Sequence, residues 1–110
     1  MRKYCLKCPV ARCLDVIGDR WSMLILRDFF RFGPRRFQDF EATLPSLTPG
    51  ILSARLKEFE SQGLIESRLY AEHPPRLEYS LTEKGRDLLP ILKALKDWGE
   101  KHTVGVGPTT

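Results

Sequence analysis

The hydrophobic period of this chain switches from helical to two at Gly63 and back at Thr82, and those changes limit the folds open to it. Before Gly63, apolar residues recur at helical spacing. After it, Ile65, Ser67 and Leu69 alternate with Glu66, Arg68 and Tyr70, and Leu77, Tyr79 and Leu81 alternate with Arg76, Glu78 and Ser80. A period of two marks strands with one covered face. The two strands are joined through Ala71-Glu72-His73-Pro74-Pro75, which predicts a hairpin with a stiff projecting loop. A lone hairpin is at best marginal in water, so the flanking helices must cover it. At 110 residues the chain has room for one such core.

The spacing predicts a first helix over about Pro9 to Ile17, with Val10, Leu14 and Ile17 on one face and Gly18 as a left-handed cap. Asp19 caps a second helix, about Arg20 to Phe30, which is apolar nearly all round and therefore central. Phe32-Gly33-Pro34 breaks it. A short third helix, about Arg36 to Leu44, carries Phe37, Phe40 and Leu44 inward and Gln38, Asp39 and Glu41 outward. Thr48 caps a fourth, with Pro49 in its first turn, Leu52, Leu56 and Phe59 as its buried stripe and Gly63 as its stop. Thr82 opens a last helical region reaching about His102, which Pro90 should kink or split. The fold class is thus mainly α with a small β-hairpin (α+β). The expected organisation is an N-terminal arm at 1–8, a domain at 9–102 whose final helix spans about 82–102, and a flexible Gly-rich tail at 103–110.

Two short helices joined by a tight turn, followed by a hairpin, form the pattern of a winged helix-turn-helix. A reading helix must fit a major groove ~12 Å wide while its other face stays packed. The fourth helix meets that demand, with Gly50, Ser53, Ala54, Lys57 and Ser61 outward and Arg55 at the flank. Ser53 offers a hydroxyl to base edges, while Ala54 and the Thr48 methyl suit a thymine methyl. Gly50 permits close approach, Arg55 suits a guanine or a phosphate, and Lys57 suits a phosphate. Backbone N–H groups at Thr48, Gly50 and Ile51 favour a phosphate at the helix start, beside Pro49. Arg35 and Arg36 before the third helix, and Arg68 and Arg76 on the wing, are candidate backbone clamps. Arg76 or His73 suits a minor groove. The formal charge of +4, from eighteen Lys and Arg against fourteen Asp and Glu, is compatible with a polyanion.

Several classes are disfavoured. The apolar run Met23-Leu24-Ile25-Leu26 is far short of the ~20 residues of a membrane span, and Lys7 and Arg12 interrupt any signal-like start. A cytoplasmic protein without a membrane partner is expected. No cofactor is expected: there is no Walker loop, and Gly105-Val106-Gly107 has no helix after it. No catalytic arrangement is visible, so the chain does not read as an enzyme, and Asp15, Asp19 and Asp28 read as surface or capping groups. Cys5-Leu6-Lys7-Cys8 is a single CxxC, with Cys13 nearby, and a lone pair argues against zinc, so no metal is expected. Cys8 precedes a helix start and follows Lys7, surroundings that favour the reactive thiolate. Cys13 reads as packed.

The last helical region carries more apolar surface than one small domain needs. Leu88, Leu92 and Leu95 form one stripe, and Ile91, Leu95 and Trp98 an overlapping one. Pairing into a homodimer through this region and the first helix, by Val10 and Leu14, is expected. A twofold dimer would read a near-palindromic duplex with half-sites ~34 Å, or a multiple, apart.

The residues also resemble a known family. Cys8-Pro9-Val10, Leu14-Asp15-Val16-Ile17-Gly18-Asp19-Arg20-Trp21 and Ile25-Leu26-Arg27-Asp28 look like the opening of HxlR-type regulators. Gly33-Pro34-Arg35-Arg36-Phe37, the run from Leu52 to Glu60, Gly63-Leu64-Ile65, the run from Pro74 to Gly85 and Trp98-Gly99 continue the likeness, over about residues 8–102. The resemblance implies a dimeric winged-helix regulator of detoxification, redox-stress or aldehyde and quinone genes, with Thr48–Gln62 as recognition helix and the wing at 70–77. It also implies an oxidant or electrophile response through the cysteine before the proline, here Cys8. Two alternatives remain: a thiol switch whose fold is incidental, and a winged helix that docks protein without specific DNA binding. An apolar cleft between the first helix and the dimerising helix would have room for a small-molecule effector, though no residue pattern identifies it.

Overall fold

The computed structural model describes residues 7–105. Cys5, and with it the CxxC pairing, lies outside them, as does the tail from Val106 onward. Six helices and three strands follow one another. They are α1 (Pro9–Ile17), α2 (Arg20–Phe32), β1 (Arg35–Arg36), α3 (Phe37–Thr43), α4 (Pro49–Ser61), β2 (Ile65–Glu72), β3 (Pro75–Leu81), α5 (Glu83–Arg86) and α6 (Leu89–His102).

The caps explain most of the boundaries. The Asp19 carboxylate accepts from the Trp21 and Ser22 amides, both at 2.9 Å, and starts α2. Gly33 ends that helix at φ 78°, donating to the Phe29 carbonyl. At the end of α4 the Gly63 amide donates to the Glu60 carbonyl and the Leu64 amide to that of Phe59, with Gly63 at φ 77°. That is the Schellman arrangement, and it turns the chain from α4 into β2. Pro90 does split the last region, with Asp87 and Leu88 between α5 and α6.

Gly18 departs from expectation. Its φ of −75° is right-handed. A Cβ there would lie 2.2 Å from the Leu14 carbonyl oxygen, so close backbone approach, not a left-handed turn, demands glycine. The hairpin is also tighter than expected. β2 and β3 pair in antiparallel register from Ile65↔Leu81 to Glu72↔Pro75, leaving His73 and Pro74 as the turn, with an irregularity between Leu69 and Ala71. β1 adds a third strand, giving the order β1-β3-β2, with Arg35 opposite Tyr79 and Arg36 opposite Glu78. Two residues leave no readable period, which hides β1 from a sequence reading.

The core gathers Ile25, Leu26 and Phe29 of α2, Phe40 of α3, Leu52, Leu56 and Phe59 of α4, and Ile65 of β2. Phe29 and Phe40 meet edge to face, with centroids 5.2 Å apart. This cluster holds α3 and α4 to the domain from beneath.

Asp28, expected as a surface or capping group, is fully buried, with 0 % exposure. Its carboxylate accepts from the Thr43 hydroxyl and lies 3.6 Å from an Arg35 nitrogen and 3.3 Å from one of Arg27. Arg35 is only 7 % exposed and also donates to the Asp39 carbonyl at 2.7 Å and to Thr43 Oγ1 at 3.0 Å. Its guanidinium stacks near the Phe32 and Phe40 rings, 4.4 and 5.2 Å from their centroids. Arg35 is therefore a buried brace between α2 and α3, and it leaves the set of backbone clamps.

Candidate nucleic-acid interface

The chemistry of α4 follows from which of its sides the core takes. Leu52, Leu56 and Phe59 are buried, while Thr48, Pro49, Gly50, Ala54 and Lys57 are exposed. Ser53 and Arg55 are half-buried at the flanks. The Thr48 hydroxyl accepts from the Ile51 amide at 3.3 Å, so that amide is already used and drops out of the expected phosphate cradle. Glu58 is exposed on the same helix, and its carboxylate accepts from the Gln62 side-chain amide at 2.9 Å.

Arg55 is tethered. Its Nε lies 3.0 Å from Asp19 Oδ2, which joins α4 to the start of α2. Burial alone would raise the Asp19 carboxyl. The Ser22 hydroxyl and amide, and then the Arg55 guanidinium, outweigh that and hold it below its ordinary value. The capping role of Asp19 follows from its place before α2, whereas its bond to Arg55 does not. Nothing in residue spacing links positions 19 and 55.

The wing stands beside α4. The Ser67 hydroxyl donates to Glu60 at 2.7 Å, fastening β2 to the helix. Glu78 of β3 sits between two cations, 3.7 Å from Arg36 Nε and 3.3 Å from an Arg68 nitrogen. The Arg36 guanidinium also lies 3.8 Å from the centroid of the Tyr70 ring. Arg68 is 80 % exposed, so its ion pair restrains it weakly. His73 and Arg76, at the turn, are exposed. The structure thus brings Arg36 of β1, Arg68 of β2 and the turn residues onto one three-stranded sheet, whose strand β2 packs on α4. Asp28, the acid that organises this region from below, was readable in principle: it stands three residues after the core residue Ile25, on the buried side of α2.

A helix braced from beneath and flanked by a hairpin that carries Arg68, His73 and Arg76 is the winged helix-turn-helix arrangement. The HxlR-like helix-turn-helix family profile matches residues 16–105. The chain belongs to the HxlR-like family of helix-turn-helix transcriptional regulators. It is 42 % identical over 95 residues to the HTH-type transcriptional regulator YdeP of Bacillus subtilis (strain 168), covering 86 % of this chain and 73 % of that protein. Among solved structures it resembles the redox regulator HypR in its oxidized form, at 40 % identity and TM-score 0.80, over 89 % of this chain and 100 % of that one. It also resembles the reduced form of the regulator YodB from B. subtilis, at 31 % identity and TM-score 0.72, over 86 % of this chain and 93 % of that one. As an HxlR-like regulator the chain is a DNA-binding protein, and among its described residues no helix is long and apolar enough to cross a membrane.

The remaining candidates lie on α1 and the α5–α6 region. Cys8 is exposed at the cap of α1, and Cys13 is half-buried against the core. Val10, Leu14, Ile91, Leu95 and Trp98 are all exposed apolar residues. Leu88 differs from them: it is half-buried against the core, so it belongs to the fold of one chain and leaves the expected dimer stripe.

Proposed function

We propose that this regulator binds duplex DNA in the cytoplasm as a twofold dimer, with α4 in the major groove and the β2–β3 wing on the backbone or in the adjoining minor groove. The carrying observation is the two-sidedness of α4. Its underside is fixed by Leu52, Leu56 and Phe59, while Pro49, Gly50, Ala54 and Lys57 face solvent. Gly50 and Ala54 are small enough for close approach to base edges, and Lys57 is placed for a phosphate. Thr48 and Ser53 add hydroxyls at the start and flank of the helix. Arg55 reaches DNA only by leaving Asp19. Arg36, Arg68, His73 and Arg76 supply the wing contacts.

The dimer reading rests on α6. This fourteen-residue helix has no buried residue within one chain, and Leu95 and Trp98 are 52 % and 63 % exposed. A helix that short is marginal without a packed face. Between it and α1 lies a hollow of about 640 Å³ lined by Val10, Cys13, Leu14, Ile91 and Leu95. A partner's apolar side chains would fill it, and Leu92 would extend the contact. Cys8, exposed at the rim of this region, is the proposed reactive thiol of an oxidant response, which would place the regulated genes in stress or detoxification. The likeness to a redox regulator supports that assignment.

In-vitro selection of bound duplexes is the test of the DNA reading. A near-palindromic consensus is expected, bound with an affinity that falls steeply with salt, at a slope of about −0.9 per phosphate contacted. Selection that enriches no sequence refutes it. Sedimentation of Leu95→Glu should give a monomer where the parent is a dimer; a monomeric parent refutes the pairing. Cys8→Ser should abolish the effect of diamide on DNA binding, and an unchanged response removes Cys8 from the mechanism.

A further inference from the structure

A second hollow lies between α2 and α6. Its apolar lining comes from Met23, Leu24 and Phe30 of α2 and Leu89, Leu92 and Leu95 of α6. Both helices also line it with cations, Arg27 and Arg31 from α2 and Lys93 and Lys96 from α6, and no acidic side chain is among its lining residues. The groove measures about 570 Å³, within the range of small-molecule sites.

These cations are poorly satisfied by the protein. Among the described residues no ion pair involves Arg31 or Lys93. Lys96 reaches only Glu100, at 3.7 Å between two well-exposed side chains. Arg27 places one nitrogen 3.3 Å from Asp28, but its Nε is buried without a hydrogen-bond partner.

We propose that this groove binds an amphipathic organic anion, a carboxylate or its equivalent carried on an aliphatic or aromatic body. The apolar body would cover the leucine, methionine and phenylalanine lining, and the anionic head would sit among Arg27, Arg31, Lys93 and Lys96. Both parts are needed. Phosphates of DNA would meet the cations but leave the apolar lining in water. A second copy docked by a twofold axis through the groove would set the four cations against the same four. The site does not rest on the dimer reading, although Met23 and Leu95 line this groove and the hollow beside α1 alike, and Leu92, proposed above as a dimer contact, lines this groove too.

Decanoate, decanol and decyltrimethylammonium, each below its micelle concentration, are suitable probes on the full chain, followed by calorimetry and amide-shift mapping. Decanoate is expected to bind with its largest shifts at residues 27–31 and 89–96. Decanol should bind at least about tenfold more weakly, and the cation more weakly still, because charge-assisted hydrogen bonds distinguish them. The double variant Arg31→Ala/Lys93→Ala removes two exposed side chains and should melt like the parent. It should lose about tenfold in decanoate affinity and little in decanol affinity. Equal affinity for decanoate and decanol overturns the proposal, as do shifts confined to Val10, Leu14 and Trp98. A double variant that weakens binding to every DNA sequence alike makes the groove a phosphate contact, and one that shifts the monomer–dimer equilibrium makes it an interface. Either result also overturns it.

Discussion

Replacing Asp28 by alanine tests the buried brace that holds the helix-turn-helix unit to α2. Asp28 is fully buried and Arg35 is 7 % exposed. Two charges 3.6 Å apart attract by about 4–5 kcal/mol at an effective dielectric constant of ~20. Desolvation of both ions offsets much of this in the intact pair, but deleting one partner leaves the other charged and buried, which costs about 3–5 kcal/mol. Arg35 would keep its bond to the Asp39 carbonyl and its ring contacts, so the lower end, about 3 kcal/mol, is expected. A domain of this size has ~5–15 kcal/mol in all. At ~4–8 °C per kcal/mol, Asp28→Ala should melt at least about 12 °C below the parent. Urea unfolding, with calorimetry as a check on two-state behaviour, measures it. The double replacement Asp28→Leu/Arg35→Met should recover most of the loss, because an apolar pair of similar volume can replace a buried ion pair. A loss below about 1 kcal/mol in Asp28→Ala, or a double variant less stable than either single one, refutes the reasoning.

Three further outcomes follow from particular contacts. Lys57→Ala should weaken binding to all duplexes alike and reduce the salt slope by about 0.9, as measured by titration at several salt concentrations; an unchanged slope excludes Lys57 from the phosphates. The Asp19 carboxyl titrates below its ordinary 3.8, so the stability it contributes is complete above that value and lost as the pH falls through the lower folded one. The stability gap between the parent and Asp19→Asn in urea should therefore close as the pH is lowered past 3.8, and a gap independent of pH contradicts the assignment. Gly85→Ala would place a Cβ 2.2 Å from the Leu64 carbonyl oxygen, and should cost about 1–3 kcal/mol in urea; an unchanged midpoint would mean that α5 moves aside freely.

Local chemistry was enough to read much of this molecule from its residues. Capping by Asp19 and Thr48, the Schellman stop at Gly63, the break at Pro90 and the change of period after Gln62 each depend on neighbours in the chain. So does the sidedness of α4, because residues three and four apart share a helical face. Contacts between residues distant in sequence were legible only in three dimensions. Arg35 and Arg36 are adjacent and chemically identical, yet one is sealed against Asp28 and the other lies beside Tyr70 and Glu78, because their side chains leave a short strand on opposite faces. The tether of Arg55 to Asp19 and the pairing of Asp28 with Arg35 each join residues that only the packing brings together. Periodicity reports which side of an element is covered; which charge meets which partner there depends on how the elements pack, and no spacing along the chain encodes it.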